Sequence, residues 1–251
     1  MTWDDLDREL DRWQALRRPA TLWWRDDDAV EGTPALDRLA NLAARHRVPV
    51  ALAVIPAALQ PTLALPPGAT VLQHGYAHRN HAAAGAKTRE LGARPVPAVA
   101  SELDAGRARL RAAFGAAFLP IVVPPWNRID DEVTAALPLL GYEGLSTFGP
   151  RAALAPVPGL VQCNAHVDPI AWRAGRGFAG QERCLRHVVA HLADRREGRA
   201  DAREPTGYLT HHLVHGEDTW AFTEALLARI ASHPGARWLA ADEAFTCGRR
   251  A

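Results

Sequence analysis

From Trp3 to Leu16 the apolar side chains Trp3, Leu6, Leu10, Trp13 and Leu16 recur at steps of three and four. That spacing lays one apolar face along a helix, and Thr2 stands where an N-cap belongs. After Arg18-Pro19 the run from Ala20 to Trp24 is short, apolar and rich in β-formers, and it stops at Arg25-Asp26-Asp27-Asp28. It predicts a strand that delivers three acids to its carboxyl end. The alternation then repeats. Helices are predicted over 33–47, 98–113, 129–140, 180–198 and 218–232, with strands over 48–55, 70–73, 118–123, 143–147, 160–166 and 207–212, and a last short one over 237–239. A polar, Ala/Gly-rich loop occupies about 78–97.

Strands alternating with helices give βαβ units and a parallel sheet covered on both faces. Seven or eight such units in one chain predict a single-domain (β/α) barrel spanning residues 1–251, with 1–18 as an N-terminal packing helix. Its chemistry would collect where the loops converge at the carboxyl ends of the strands.

Composition narrows the class. The chain has 251 residues, 48% hydrophobic and 23% charged, with a net charge of +1. It can bury a sizeable core, and it lacks the basic excess of a general nucleic-acid binder. No apolar run reaches the roughly 20 residues of a bilayer span. The amino terminus carries no basic flank with an apolar stretch behind it, so a cytoplasmic setting is the expectation. Cys163, Cys184 and Cys247 are widely spaced and form no CxxC pair, which favours buried thiols over disulfides or a thiolate zinc site.

Four polar clusters fall at predicted strand ends: Arg25 to Asp28, His74 to His78, Pro124-Pro125-Trp126-Asn127, and His211-His212 with His215 behind them. Adjacent carboxylates at the end of an apolar strand repel one another, so a cation or shared proton must relieve them, or the run is a solvated turn. His74 and His78 are four apart, a spacing that on a helical turn brings two imidazoles within reach of one metal. Imidazole and carboxylate together suit zinc or another first-row divalent ion. His187 and His191 have the same spacing but read as a solvated helix flank, and His81 as a loop histidine exposed to water. Alternation along a strand sends His211 and His212 to opposite faces, so only one can face the rim. A histidine there can donate a proton to a leaving amine. For His212 and His215 the expectation is structural, at a helix end or against Trp220.

In order along the chain, these clusters resemble the motifs of the polysaccharide deacetylase family, the carbohydrate esterases with a NodB homology domain. Asp27-Asp28-Ala29 is similar to the family's paired acids, and His74 with His78 to its HxxxH. Pro124-Pro125-Trp126-Asn127 resembles the third motif, Asp168 with Trp172 a stretched fourth, and Leu209-Thr210-His211 the fifth; Trp238-Leu239-Ala240 resembles the family's end. The resemblance implies a distorted barrel with one divalent metal, commonly zinc with cobalt, nickel or manganese as alternatives, held by Asp28, His74 and His78. It implies Asp27 as general base and His211 as general acid, with Pro125, Trp126, Asn127, Asp168, Trp172 and Leu209 around the substrate.

There are two departures inside the motifs. Val123 stands where the family has an arginine, a charge that Arg25 or Arg128 could supply, and Asp26 adds a third acid that could shift base and ligand by one position. The expected activity is removal of an acetyl group from an N-acetylated sugar or related amide. The alternatives are hydrolysis of a small non-sugar amide on the same fold, and a sugar-binding or regulatory module without turnover.

Overall fold

In the computed structural model, which describes residues 1–246, the predicted alternation is realised almost element by element. Helix α1 (Trp3–Ala15) opens with a capping box in which the Thr2 hydroxyl accepts from the Asp5 amide while the Asp5 carboxylate accepts from the Thr2 amide. Such caps stabilise a helix by about 1 kcal/mol. Its buried face of Leu6, Leu10 and Trp13 joins the main core, as the spacing predicted.

The strands are β1 (Ala20–Ala29), β2 (Ala51–Val54), β3 (Thr70–His74), β4 (Phe118–Val123), β5 (Gly144–Leu145), β6 (Val161–Gln162), β7 (Thr206–Thr210) and β8 (Ala236–Leu239). Around them lie α2 (Pro34–His46), α3 (Val96–Phe114), α4 (Asp131–Ala136), α5 (Gln181–Arg196), α6 (Glu217–Ser232) and α7 (Ala241–Thr246). Every strand pairing is parallel and the sheet runs β6-β5-β4-β3-β2-β1-β7. It curls on itself, because the chain beyond β6 reaches back to β7: Val167 bridges Tyr208, and the Leu209 amide donates to the Val167 carbonyl at 2.8 Å. The result is a distorted single-domain (β/α) barrel.

Strand β1 is the axis of this arrangement and is buried on both faces. Leu22 and Trp24 point out into the layer under the helices, and Trp23 points in, edge-on to Phe245 of α7. β8 pairs with its first residues and β2 with its last, so the same edge serves two partners in succession. Alternation therefore sends Arg25 and Asp27 inward and Asp26 outward. Cys163 and Cys184 are buried, as expected, and burial pushes the Cys184 thiol up to about 12. Cys247 lies outside the described residues.

Candidate active site

The carboxyl ends of β1, β3, β4 and β7 open into one cavity of about 780 Å³. Asp27, Asp28, His74, His78, Trp126, Asn127, Asp168, Trp172 and His211 all line it. All four sequence clusters thus meet at one rim. Two predicted substrate contacts do not line the cavity. Leu209 is fully buried in β7, opposite Arg25, and Pro125 is buried against Gly75.

Strict alternation would send Asp28 away from the cavity that Asp27 faces. The chain prevents this with a break in the β1–β2 register between Asp26 and Ala29, where Asp28 takes a left-handed φ of 72°. A bulge of this kind re-aims a side chain, at a conformational cost of about 1–3 kcal/mol for a non-glycine residue. His78, Trp126, Asn127 and Arg176 also have positive φ and also line the cavity. Backbone strain is concentrated here.

The histidine pair is not on a helical turn, as its spacing suggested. His74 ends β3, and the chain bends back through Gly75 (φ 54°) to set His78 at φ 54°, with the two ring centroids 5.2 Å apart. The bend is held by buried Glu90, whose carboxylate accepts backbone N–H bonds from Tyr76, Ala77 and Arg79 at 3.1, 2.8 and 3.3 Å. A Cβ on Gly75 would meet Glu90 Oε2 at 2.0 Å. Glu90 went unread because it lies in the loop that sequence marks only as polar.

Asp28 Oδ1 lies 3.2 Å from His74 Nε2 and 3.5 Å from His78 Nε2, and it is buried without a hydrogen-bond partner. His74 Nδ1 stands 2.9 Å from the Val123 carbonyl, which can only accept, so Nδ1 carries a proton and Nε2 is the nitrogen turned towards Asp28. Burial opposes a charge on His74, but the Asp27 and Asp28 carboxylates raise it, so a metal ion binding at Nε2 displaces a proton. A ring nitrogen and a carboxylate oxygen held this close share either a proton or a metal cation. Burial alone would raise the Asp28 carboxyl, but His74, His211 and His78 outweigh it and hold it low. Burial and His74 push His78 down, leaving it neutral and able to ligate. One carboxylate, two imidazoles and an outer carbonyl that fixes the ring orientation are the donor set of a catalytic divalent-metal site with an open position.

Beside this trio, Asp27 is held by Arg25. The guanidinium Nε is 2.8 Å from Oδ1, off hydrogen-bond alignment, and Nη2 donates to Oδ2 at 3.0 Å. Arg25 also donates to Asn127 Oδ1 at 2.8 Å and to the Ser146 hydroxyl at 2.6 Å. Of the two arginines considered, Arg25 is the one that reaches Asp27; Arg128 donates to Thr88 instead. Asp26, on the outer face, accepts from the Thr210 hydroxyl at 2.6 Å and from the His212 amide, with His212 Nδ1 2.5 Å away. His211 faces the cavity with its buried Nδ1 unpartnered. Trp172 packs edge-on to it at 4.7 Å and donates its indole N–H to Asp168 at 2.7 Å. Burial raises the Asp168 carboxyl. His215 packs edge-on to Trp220, as expected.

This architecture has solved counterparts. A Mycobacterium smegmatis protein assigned as a polysaccharide deacetylase superposes with a TM-score of 0.62 at 16% identity, over 88% of this chain and 86% of that one. The chain has the polysaccharide deacetylase fold. The peptidoglycan deacetylase PdaC of Bacillus subtilis matches at 0.59 and 13%, over 92% of each chain. A family 4 acetyl xylan esterase of Clostridium thermocellum, solved with a cobalt ion, matches at 0.57 and 12%, over 90% of each. No protein-family model matches the sequence, and none of the curated proteins does. Among the described residues no helix is long and apolar enough to cross a membrane.

On this deacetylase fold a second group, His166, His191 and Glu204, also brings three ligating atoms together, and it corrects the solvated reading of His191, which is buried. It is not a metal site by its chemistry. The Gly207 amide donates to His166 Nδ1 at 2.9 Å, so Nε2 carries the proton, and the Arg195 and Arg151 guanidiniums lie close by. The two rings stack at 3.5 Å, and burial, His166 and Arg195 push His191 down to about 2. His166 is held well below its ordinary value by burial and the same arginines.

Both histidines are neutral when folded and protonate on unfolding below pH 6.5, so their contribution is complete above that pH and is lost as pH falls towards 2. Each proton taken up only by the unfolded chain costs about 1.4 kcal/mol per pH unit. Burial raises Glu204, which acts in the opposite sense, so the test is a difference. Urea unfolding at pH 6, 5 and 4 is expected to give His191→Gln a shallower acid loss than the parent chain; parallel curves would refute the assignment.

Proposed function

We propose that this chain is a metal-dependent hydrolase that removes an acetyl group from an N-acetylated sugar or a related small amide. One observation carries the reading: Asp28 Oδ1 has His74 Nε2 at 3.2 Å and His78 Nε2 at 3.5 Å, three ligating atoms converging on one point. A divalent ion held there by Asp28, His74 and His78, zinc being the first choice, supplies Lewis acidity to a carbonyl and makes water acidic enough to attack near neutral pH.

The chain's own residues do the rest. Asp27, lining the cavity, accepts the proton of the attacking water, and Arg25, close to both of its oxygens, fixes that carboxylate in place. His211 hands a proton to the departing nitrogen, and Trp172, pinned by Asp168, packs edge-on against the His211 ring and leaves an apolar wall for the acyl methyl. A base on one side of the trio and an acid on the other have no use in a pure binding module, which is the reason for preferring turnover. The fold neighbours include a peptidoglycan deacetylase and an acetyl xylan esterase, and they support the same class of reaction.

Elemental analysis of chelator-washed, zinc-reconstituted protein tests this together with acetate release from N-acetylated sugars. About one ion per chain is expected in the parent chain, and none in Asp28→Ala or His74→Ala, with turnover lost in both. Full activity in either variant would overturn the metal assignment.

A further inference from the structure

Away from the metal-type trio, the same cavity is lined by Arg173, Arg176 and Arg183, with His187 beside them. Arg173 and Arg176 belong to a tight hairpin tip. Ile170 bridges Phe178, and the Ala171 amide donates to the Gly177 carbonyl at 2.8 Å, so the turn between them is closed. Trp172, the residue against His211, sits in this turn too. Arg183 and His187 are one helical turn apart on α5 and look into the cavity from the next element. Positive charge thus reaches the site from two elements.

What marks these arginines is that three unpaired side chains converge on one cavity. Some exposed arginines sit on carboxylates, as Arg38 does on Glu217, Arg229 on Asp7, and Arg186, three residues beyond Arg183, on Glu182. Others, such as Arg17, Arg47 and Arg111, are exposed without a carboxylate partner among the described residues but do not line this cavity. The side chains of Arg173, Arg176 and Arg183 have no hydrogen-bond or ion-pair partner among the described residues. Nor do they follow from a generally basic surface, since the whole chain carries a net charge of +1. The acids of the cavity are already engaged: Asp27 by Arg25, Asp168 by Trp172 and the Ile170 amide, and Asp28 by the two histidines. Arg176 adopts a left-handed φ of 59° at the turn and lines the cavity. Three guanidiniums without internal anions, beside a site built for an amide, describe a receptor for an anionic group on the same molecule. The volume suits a ligand of one or two sugar rings.

Resting on the hydrolase reading above, we propose that the substrate is an N-acylated compound that also carries an anionic group, phosphoryl or carboxylate, gripped by Arg173, Arg176 and Arg183. The amide then lies at Asp28, His74 and His78, and the anion anchors the other end. A neutral sugar of the same size fills the cavity but leaves the arginines unanswered.

The test is calorimetric titration of the zinc-loaded full chain with N-acetylglucosamine 1-phosphate, N-acetylmuramic acid and neutral N-acetylglucosamine, repeated in the Arg173→Gln/Arg176→Gln/Arg183→Gln chain. An Asp27→Asn background prevents consumption of the probes. At least one charged probe is expected to bind about tenfold or more tightly than the neutral sugar, with an advantage that shrinks on adding salt and disappears in the triple variant. Preference for the phosphate ester identifies a phosphorylated source, and preference for the muramic acid a carboxylated one. Equal binding of all three probes, binding of none, or an advantage that survives the triple substitution would each overturn the proposal. The two readings fail separately. Arginine-dependent binding without acetate release by the parent chain removes the hydrolase and leaves the anion receptor, whereas acetate release with no charge preference removes only the receptor.

Discussion

Arg25→Met is expected to unfold about 3–5 kcal/mol more easily than the parent chain and to lose at least about a hundredfold in turnover. Arg25 is completely buried on the inner face of β1, where its only ion-pair partner among the described residues is Asp27. Methionine fills much of the volume, so the loss is not chiefly one of packing. What remains is a carboxylate out of water with no cation, next to the second carboxylate of Asp28. The same substitution frees Asn127 and Ser146 from the guanidinium that ties them to β1, at 2.8 and 2.6 Å. Urea unfolding of Arg25→Met, of Asp27→Asn and of the double variant separates the effects. The double variant should regain stability over Arg25→Met, because the stranded charge has gone, and regain no turnover. A single variant within about 1 kcal/mol of the parent would show that the pair is solvated rather than buried.

The same pair shows what a sequence can and cannot specify. Helix and strand order was legible from periodicity, since 3.6-residue stripes and short apolar runs are local properties and this chain keeps them nearly throughout. Strand β4 (Phe118–Val123) falls on its predicted range, and α6 begins one residue early. Arg25 could be suspected but not chosen over Arg128, because the choice rests on which inner-face residue of a closed barrel meets Asn127 across β2, β3 and β4. Asp28 is harder still. Its direction depends on one left-handed dihedral angle in a strand that otherwise alternates, and no residue type announces it. The HxxxH spacing led to the right pair through the wrong geometry, since a bend held by Glu90 does what a helical turn was expected to do. His191 was misplaced because its helix carries charge on most sides, and only its contact with Thr206 and His166 reveals the buried stripe. The cavity arginines were invisible because only the fold brings a loop and a helix together around one cavity.

Asp27→Asn, finally, is expected to fold, to hold about one divalent ion per chain, and to hydrolyse its amide about 10²–10⁴-fold more slowly, the usual worth of a positioned general base. The asparagine oxygen can still accept from Arg25, so the local frame survives with one weakened hydrogen bond. What disappears is the carboxylate that takes a proton at the cavity wall. The neighbouring acids give contrasting outcomes. Asp28→Asn should lose ion and turnover together, because its Oδ1 is the atom shared between His74 and His78. Asp26→Asn should lose stability and keep turnover within a few-fold, because both its oxygens are committed on the outer face to Thr210 and His212. Three consecutive aspartates would then separate into one outer strut, one base and one ligand. Metal content and single-turnover rate on the three proteins decide it. Full turnover in Asp27→Asn, or an Asp26→Asn chain that folds normally and fails to turn over, would move the base by one position and reverse the assignment.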